Sequence, residues 1–148
     1  MDLKLRLYPD ECLRKKCTDV ENIDKHTKKL AKQMIRIMKL HNGAGLSAPQ
    51  VGSSERVIVW QNPESNEIFT MINPKIIDFS EDIDLKREGC LSIPGKFFDN
   101  IPRHRNIKVS YYSVKGKFHI KKYDGLSARI IQHEIDHLDG KLIIDYFG

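Results

Sequence analysis

A chain of 148 residues, 40% hydrophobic and 30% charged, is long enough to close one core without disulfides or a metal merely to stay folded. No apolar run approaches the roughly 20 residues that cross a bilayer, and the opening Met-Asp-Leu-Lys-Leu-Arg lacks the apolar stretch of a secretion signal, so one domain over 1–148, cytoplasmic and away from membranes, is expected. A net charge of +5 and a pI near 9.1 suit an anionic partner such as ribosomal RNA, but the lysines are dispersed, which points to a solvated basic surface and no specific nucleic-acid site.

Residues 3–7 alternate weakly, Tyr8-Pro9-Asp10 reads as a turn, and Glu11 to Lys16 reads as one helical turn. Cys12 and Cys17 have no histidine or second close pair beside them and are expected as small core or surface residues. From Asp24, Leu30, Met34, Ile37 and Met38 fall at helical spacing among lysines, and His41-Asn42-Gly43 stops that helix. His26 and His41 are expected at the surface. Gly43-Ala44-Gly45-Leu46-Ser47-Ala48-Pro49-Gln50 is no phosphate loop, since neither Gly-Lys-Ser/Thr nor a third glycine follows. Its glycines allow close backbone approach, and Gln50 is a neutral amide donor or simply a structural glutamine.

Arg56 to Gln61 and Ile68 to Ile72 read as a hairpin around Asn62-Pro63-Glu64-Ser65. Asn73-Pro74 is expected to break the chain, with Lys75 to Phe79 a further strand and Ser80 to Leu85 an acidic loop. Glu88-Gly89-Cys90-Leu91-Ser92-Ile93-Pro94-Gly95 has the composition of an irregular loop carrying a thiol. Ile107 to Val114 and Lys117 to Tyr123 alternate as two strands joined at Lys115-Gly116, and His104 and His119 are expected to be solvated. Asp124-Gly125 opens a last helix that Gly140 ends, and Leu142 to Phe147 reads as a terminal strand or tail.

In that helix His133 and His137 stand four apart, which sets them about 6 Å apart along the axis and about 40° round it, so one metal ion can meet both. Glu134 projects about 100° from His133, off the ligand line but within reach of a water on the metal. His-x-x-x-His alone is equally an ordinary pair of helix histidines, so a third ligand must decide, and Cys90 is the candidate.

Three stretches together, Gly43 to Gln50, Glu88 to Ser92 and Gln132 to His137, resemble the peptide deformylases, whose motifs read Gly-x-Gly-Leu-Ala-Ala-x-Gln, Glu-Gly-Cys-Leu-Ser and Gln-His-Glu-x-Asp-His. Tyr8-Pro9-Asp10 with Leu13-Arg14 is also similar to the family's start. Ser47 stands where the pattern has alanine, Ala44 where a larger aliphatic residue is frequent, and Arg129 where the family is usually apolar, which alters the rim of the substrate pocket. Only residues 138–148 follow His137, as in shortened, phage-encoded members.

The resemblance implies an α+β fold, antiparallel sheets packed around a C-terminal metal-binding helix with the long N-terminal helix outside. It implies a hydrolase that removes the formyl group from the N-terminal formylmethionine of nascent polypeptides, with Cys90, His133 and His137 as ligands of one divalent ion. Fe(II) is expected as the native metal, with zinc, nickel or cobalt able to replace it. A water activated by the metal attacks the formyl carbon, Glu134 acts as base then acid, and Gln50 with the backbone N–H of Leu91 forms the oxyanion hole. Gly45 and Gly89 would flank an extended substrate, Leu126 and Ile130 would receive its methionine, and Glu88, Arg103 and Asp136 would brace the ligands or else be surface charges. The partners implied are a formylated nascent peptide and, transiently, the ribosome, with the enzyme a monomer. Two alternatives stay open. A zinc endopeptidase would need a third ligand at Asp139 or Asp145, and an inactive metal-binding module would use its basic surface on the ribosome.

Overall fold

The computed structural model describes residues 3–147, the side chain of Phe147 excepted. Helix α1 spans Lys25–Leu40 and α2 spans Gly125–Leu138. Between them lie strands β1 (Gly45–Ser47), β2 (Val57–Gln61), β3 (Ile68–Phe79), β4 (Ile83–Cys90), β5 (Ile93–His104), β6 (Asn106–Tyr112) and β7 (Phe118–Asp124), with short 3-10 turns at Glu11–Arg14, Ala48–Val51 and Ile143–Phe147. One antiparallel sheet runs in the order β1-β2-β3-β6-β7, and β4 and β5 form a separate two-stranded antiparallel sheet. The expected α+β architecture with a central C-terminal helix is what the chain builds.

Alternation along the strands explains the layers. Ile58, Trp60, Met71, Val109 and Tyr111 face α2 and pack with Ala128, Ile131, Ile135 and Leu138. Val57, Val59 and Ile72 face the other way, onto Leu30, Met34, Ile37 and Met38 of α1. The period of two divides the strands between two cores, and the 3.6-residue period gives each helix one apolar stripe. Asp24 starts α1 with a capping box, its carboxylate accepting from Thr27 N–H at 3.2 Å while Thr27 Oγ1 accepts from Asp24 N–H at 3.4 Å. Among the described residues no helix is long and apolar enough to cross a membrane.

Three stretches depart from the expectation. Asn73-Pro74 does not end a strand: β3 continues through it with a bulge. Asn73 takes φ of 53°, and its amide substitutes for a strand partner, accepting from Val20 N–H at 2.8 Å and donating to Val20 O at 2.9 Å. The acidic loop expected over Ser80 to Leu85 shrinks to three residues before β4, and the irregular loop expected over Glu88 to Gly95 is a hairpin in which Cys90 pairs with Ile93 across Leu91-Ser92. In β4 the apolar Ile83 and Leu85 point to solvent while Asp84 and Glu88 turn inward, which inverts the usual pattern and hid the strand. The C-terminal segment is a 3-10 turn packed beside β5, where Ile143 joins Ile93 and Ile101. His104 is half-buried against the Phe79 ring at 4.2 Å and shares a 2.8 Å hydrogen bond with Ser80 O, and His119 stacks on Tyr111 at 5.1 Å, so neither is simply solvated.

Candidate metal centre

Two elements bring the candidate residues together. Helix α2 contributes its polar face and the β4–β5 hairpin carries Cys90 to its turn. His133 and His137 are 8% and 1% exposed, their Nε2 atoms lie 3.2 Å apart, and His137 Nε2 lies 3.4 Å from Cys90 Sγ. All three donor atoms fall within 4.8 Å of one another. Glu88 Oε1 is 2.8 Å from His133 Nδ1, an acceptor that holds a ring proton there and leaves Nε2 as the nitrogen facing Cys90 and His137. A thiolate and two imidazoles converging on one buried point fit a divalent transition metal with softer preferences than magnesium or calcium.

Without an ion, protons contest the same place. Burial works against charge on His133, yet the neighbouring Glu134 carboxylate and hydrogen bonds to Cys90 and Glu88 push its pKa up to about 10. Burial, and then the His133 charge, hold His137 well below the usual histidine range. A metal ion at this cluster would compete with that proton for His133.

Behind His133 stands a buried ionic frame. Arg103 grips Glu88 with Nε and Nη2, both at 2.9 Å, and donates Nη1 to Asp136 at 2.6 Å and to the Tyr146 hydroxyl at 3.1 Å. Tyr146 in turn donates to Asp136 at 2.7 Å. Burial alone would raise the Glu88 pKa, but its bonds to Arg103 and His133 hold it far below the usual carboxylate range. Arg103 and Glu88 are buried, so they are not surface charges. Arg129 lines the cleft, as expected of the pocket rim, and also turns its guanidinium inward, donating to Glu88 Oε2 at 2.6 Å, Ile101 O at 3.0 Å and Asp84 O at 2.8 Å. It was missed as a brace because the carboxylate it meets lies 41 residues away on a strand the pattern concealed.

Glu134 is buried and its Oε1 has no partner among the described residues. Burial raises its pKa to about 7, with the His133 charge opposing and Glu88 adding to the rise. That is the range a proton carrier needs at neutral pH. Its other oxygen occupies the room left by Gly45, where a Cβ would sit 2.8 Å from Oε2. The same substitution at Gly89 would meet the Phe97 ring at 2.9 Å. Gln50 Nε2 donates to Ser92 Oγ at 3.1 Å and reaches Cys90 Sγ at 3.6 Å.

A cleft of about 840 Å³ opens over these groups, and Gly45, Gly89, Leu91, Leu126 and Ile130 all line it with Gln50, Cys90, His133 and Glu134. The remaining candidates stand apart. Asp139 pairs with Arg56 at 2.9 Å and Asp145 with Arg14 at 2.7 Å, so the downstream acids an endopeptidase centre would recruit are engaged elsewhere. Cys17 is buried in the α2 core and Cys12 donates to Pro49 O at 3.3 Å, and burial pushes both thiols up to about 11.

Comparison with known proteins places these residues in context. A family model described as polypeptide deformylase matches residues 3–148. A peptide deformylase of Borreliella burgdorferi is 41% identical over 146 residues, covering 98% of this chain and 87% of that protein. Among solved structures, a probable peptide deformylase from Synechococcus phage S-SSM7 superposes with a TM-score of 0.92 at 44% identity, covering 99% of this chain and 100% of that one. The peptide deformylase of Thermotoga maritima superposes with a TM-score of 0.92 at 39% identity, covering 98% and 97%.

Proposed function

The chain belongs to the polypeptide deformylase family, metal-dependent hydrolases that remove the formyl group from nascent peptides, and on that premise we propose how its own residues divide the work. Cys90, His133 and His137 hold one divalent ion, Fe(II) natively, with zinc, nickel or cobalt able to take its place. When bound, the ion supplies Lewis acidity that acidifies water and polarises the formyl oxygen.

Glu134 accepts the proton of the attacking water, whose oxygen bonds to the formyl carbon. It returns that proton to the departing amine as the C–N bond breaks, giving formate and a free N-terminus. Burial raises the carboxylate's pKa, which favours its holding a proton between the two transfers. Gln50 Nε2 and the backbone N–H of Leu91 donate to the oxygen that gathers charge, a contact worth about 3 kcal/mol per donor at such sites. Gly45 and Gly89 flank the extended substrate backbone, and Leu126 and Ile130 receive the methionine side chain. Glu88, Arg103 and Asp136 fix the ligand geometry from behind. Residues 1–148 act as one catalytic domain, monomeric and cytoplasmic, meeting formylated chains in transient association with the ribosome.

The observation that carries this reading is the meeting of the Cys90, His133 and His137 donor atoms at a cleft lined by Cys90, His133 and Glu134, where Glu134 Oε1 has no partner among the described residues. Formate release from formyl-Met-Ala-Ser, measured on ferrous enzyme under reducing conditions, is the test. Formylated peptide should be the only substrate, with unformylated peptide and internal peptide bonds left intact. A Glu134→Ala variant that keeps its ion and still releases formate at the parental rate would overturn the acid–base assignment.

A further inference from the structure

Gln50 can serve the oxyanion only if its amide presents N–H rather than C=O to the cleft, and a side-chain amide turns through 180° unless its neighbours forbid it. Both ends of this amide are held. Oε1 accepts from the backbone N–H of Ser47 at 2.9 Å and from the Ser47 hydroxyl at 2.9 Å, while Nε2 donates to Ser92 Oγ at 3.1 Å. Ser47, Gln50 and Ser92 are 0%, 1% and 0% exposed, so water cannot replace any of these bonds. Ser47 is the N-cap and Gln50 the N3 residue of the 3-10 turn at Ala48–Val51, the spacing at which a side chain reaches back to the capping N–H.

We propose that Ser47 is a positioning residue for the deformylation reaction, its hydroxyl adding a second hydrogen bond to the Gln50 oxygen whose backbone N–H partner sets Nε2 toward the cleft. The hydroxyl can only donate in this contact, because Oε1 carries no hydrogen. Turning the amide over would set its NH2 against the Ser47 backbone N–H, a donor that cannot become an acceptor, and would force both serine hydroxyls to reverse their roles. With alanine at 47, as in the family pattern, the backbone N–H alone restrains the acceptor end. This chain therefore holds its oxyanion donor more firmly than that pattern does, a gain in preorganisation, the quality that makes such donors effective.

The inference rests on the proposed role of Gln50, and a double-mutant cycle separates the two. Ser47→Ala should fold, since alanine is what the family pattern places there, and should keep its ion content and its KM. Its kcat should fall about three- to tenfold, the worth of one lost hydrogen bond. Gln50→Ala should cost about 100-fold or more in kcat. Adding Ser47→Ala to Gln50→Ala should then change nothing further, whereas a hydroxyl with a merely structural role would impose the same loss in both backgrounds. An unaltered kcat in Gln50→Ala overturns the role of Gln50 itself. A full loss in Gln50→Ala beside an unaltered kcat in Ser47→Ala, or additive losses in the double variant, overturns the clamp alone.

Discussion

Helices α1 and α2 pack against opposite faces of the same sheet and bury different chemistry. The inner face of α1 is Leu30, Ala31, Met34, Ile37 and Met38, with Thr27 at its cap. The inner face of α2 buries Arg129, Gln132, His133, Glu134 and His137 among its alanine, isoleucines and leucine. An apolar stripe stabilises wherever it finds area to cover, whereas each buried polar group costs about 1–3 kcal/mol unless a partner meets it. On α2 most partners exist: Gln132 exchanges hydrogen bonds with His104 O and N–H at 2.8 and 2.9 Å, and Arg129 and His133 converge on Glu88. The exceptions on this helix are Glu134 Oε1 and His137 Nδ1, which have no partner among the described residues and belong to the cluster proposed for the reaction. One helix is specified by burial, the other by the atoms it must hold apart from water.

Substitutions on the two helices should therefore fail in different ways. The largest effect belongs to His137→Ala, which should leave less than a tenth of the parental metal content by elemental analysis and lower formate release by more than 100-fold, beyond what loss of a bracing residue costs. Its counterpart on α1, Met34→Ala, removes a fully buried side chain and should cost about 2–5 kcal/mol, lowering Tm by roughly 3 °C per kcal/mol. The kcat of its folded molecules should be unchanged, and a changed kcat would break the comparison. Next comes Glu88→Gln, which keeps shape but loses the charge facing two guanidiniums and an imidazole. Metal affinity measured by chelator competition should fall about 10- to 100-fold.

The pH profile sharpens the same contrast. Only ionised Glu134 accepts a proton, so kcat/KM should drop up to tenfold per pH unit on the acid side of its pKa. Burial sets that pKa near 7 in the ion-free site, and the charge of a bound cation draws it lower. The acid limb should thus move upward whenever the ion's charge is less felt, and a limb insensitive to Glu134→Gln would remove Glu134 as its source. Arg129→Leu should have the smallest catalytic effect, with the ion retained and kcat within a few-fold. It should still cost about 1–3 kcal/mol in chemical denaturation, because Asp84 O and Ile101 O lose their donor.

What could be read from the residues follows the same division. Both helices and the β2–β3 and β6–β7 hairpins carry the periodicity that burial imposes, and their positions were legible from it. The three candidate ligands were legible because two of them sit at helical spacing and the third has a motif of its own. The β4–β5 hairpin was not, since its inward face is charged and its turn residues are those of a loop. Nor was the inward turn of Arg129, whose partners come from that hairpin. Ser47 was visible only as a small-for-small exchange, because its effect lies in a hydroxyl that meets a side chain three residues on.

The frame behind His133 also settles a matter of charge neutrality. Arg103 and Arg129 bring two positive charges, and Glu88 and Asp136 two negative ones, in direct ion pairs with little water. Their sum is zero. Of the proposed ligands and base, a Cys90 thiolate and the Glu134 carboxylate then carry negative charge, and Arg87 and Lys96 also line the cleft. In the site proposed, a divalent ion would offset the charges of that ligand and that base. The bracing residues, by cancelling among themselves, leave that offset to the metal.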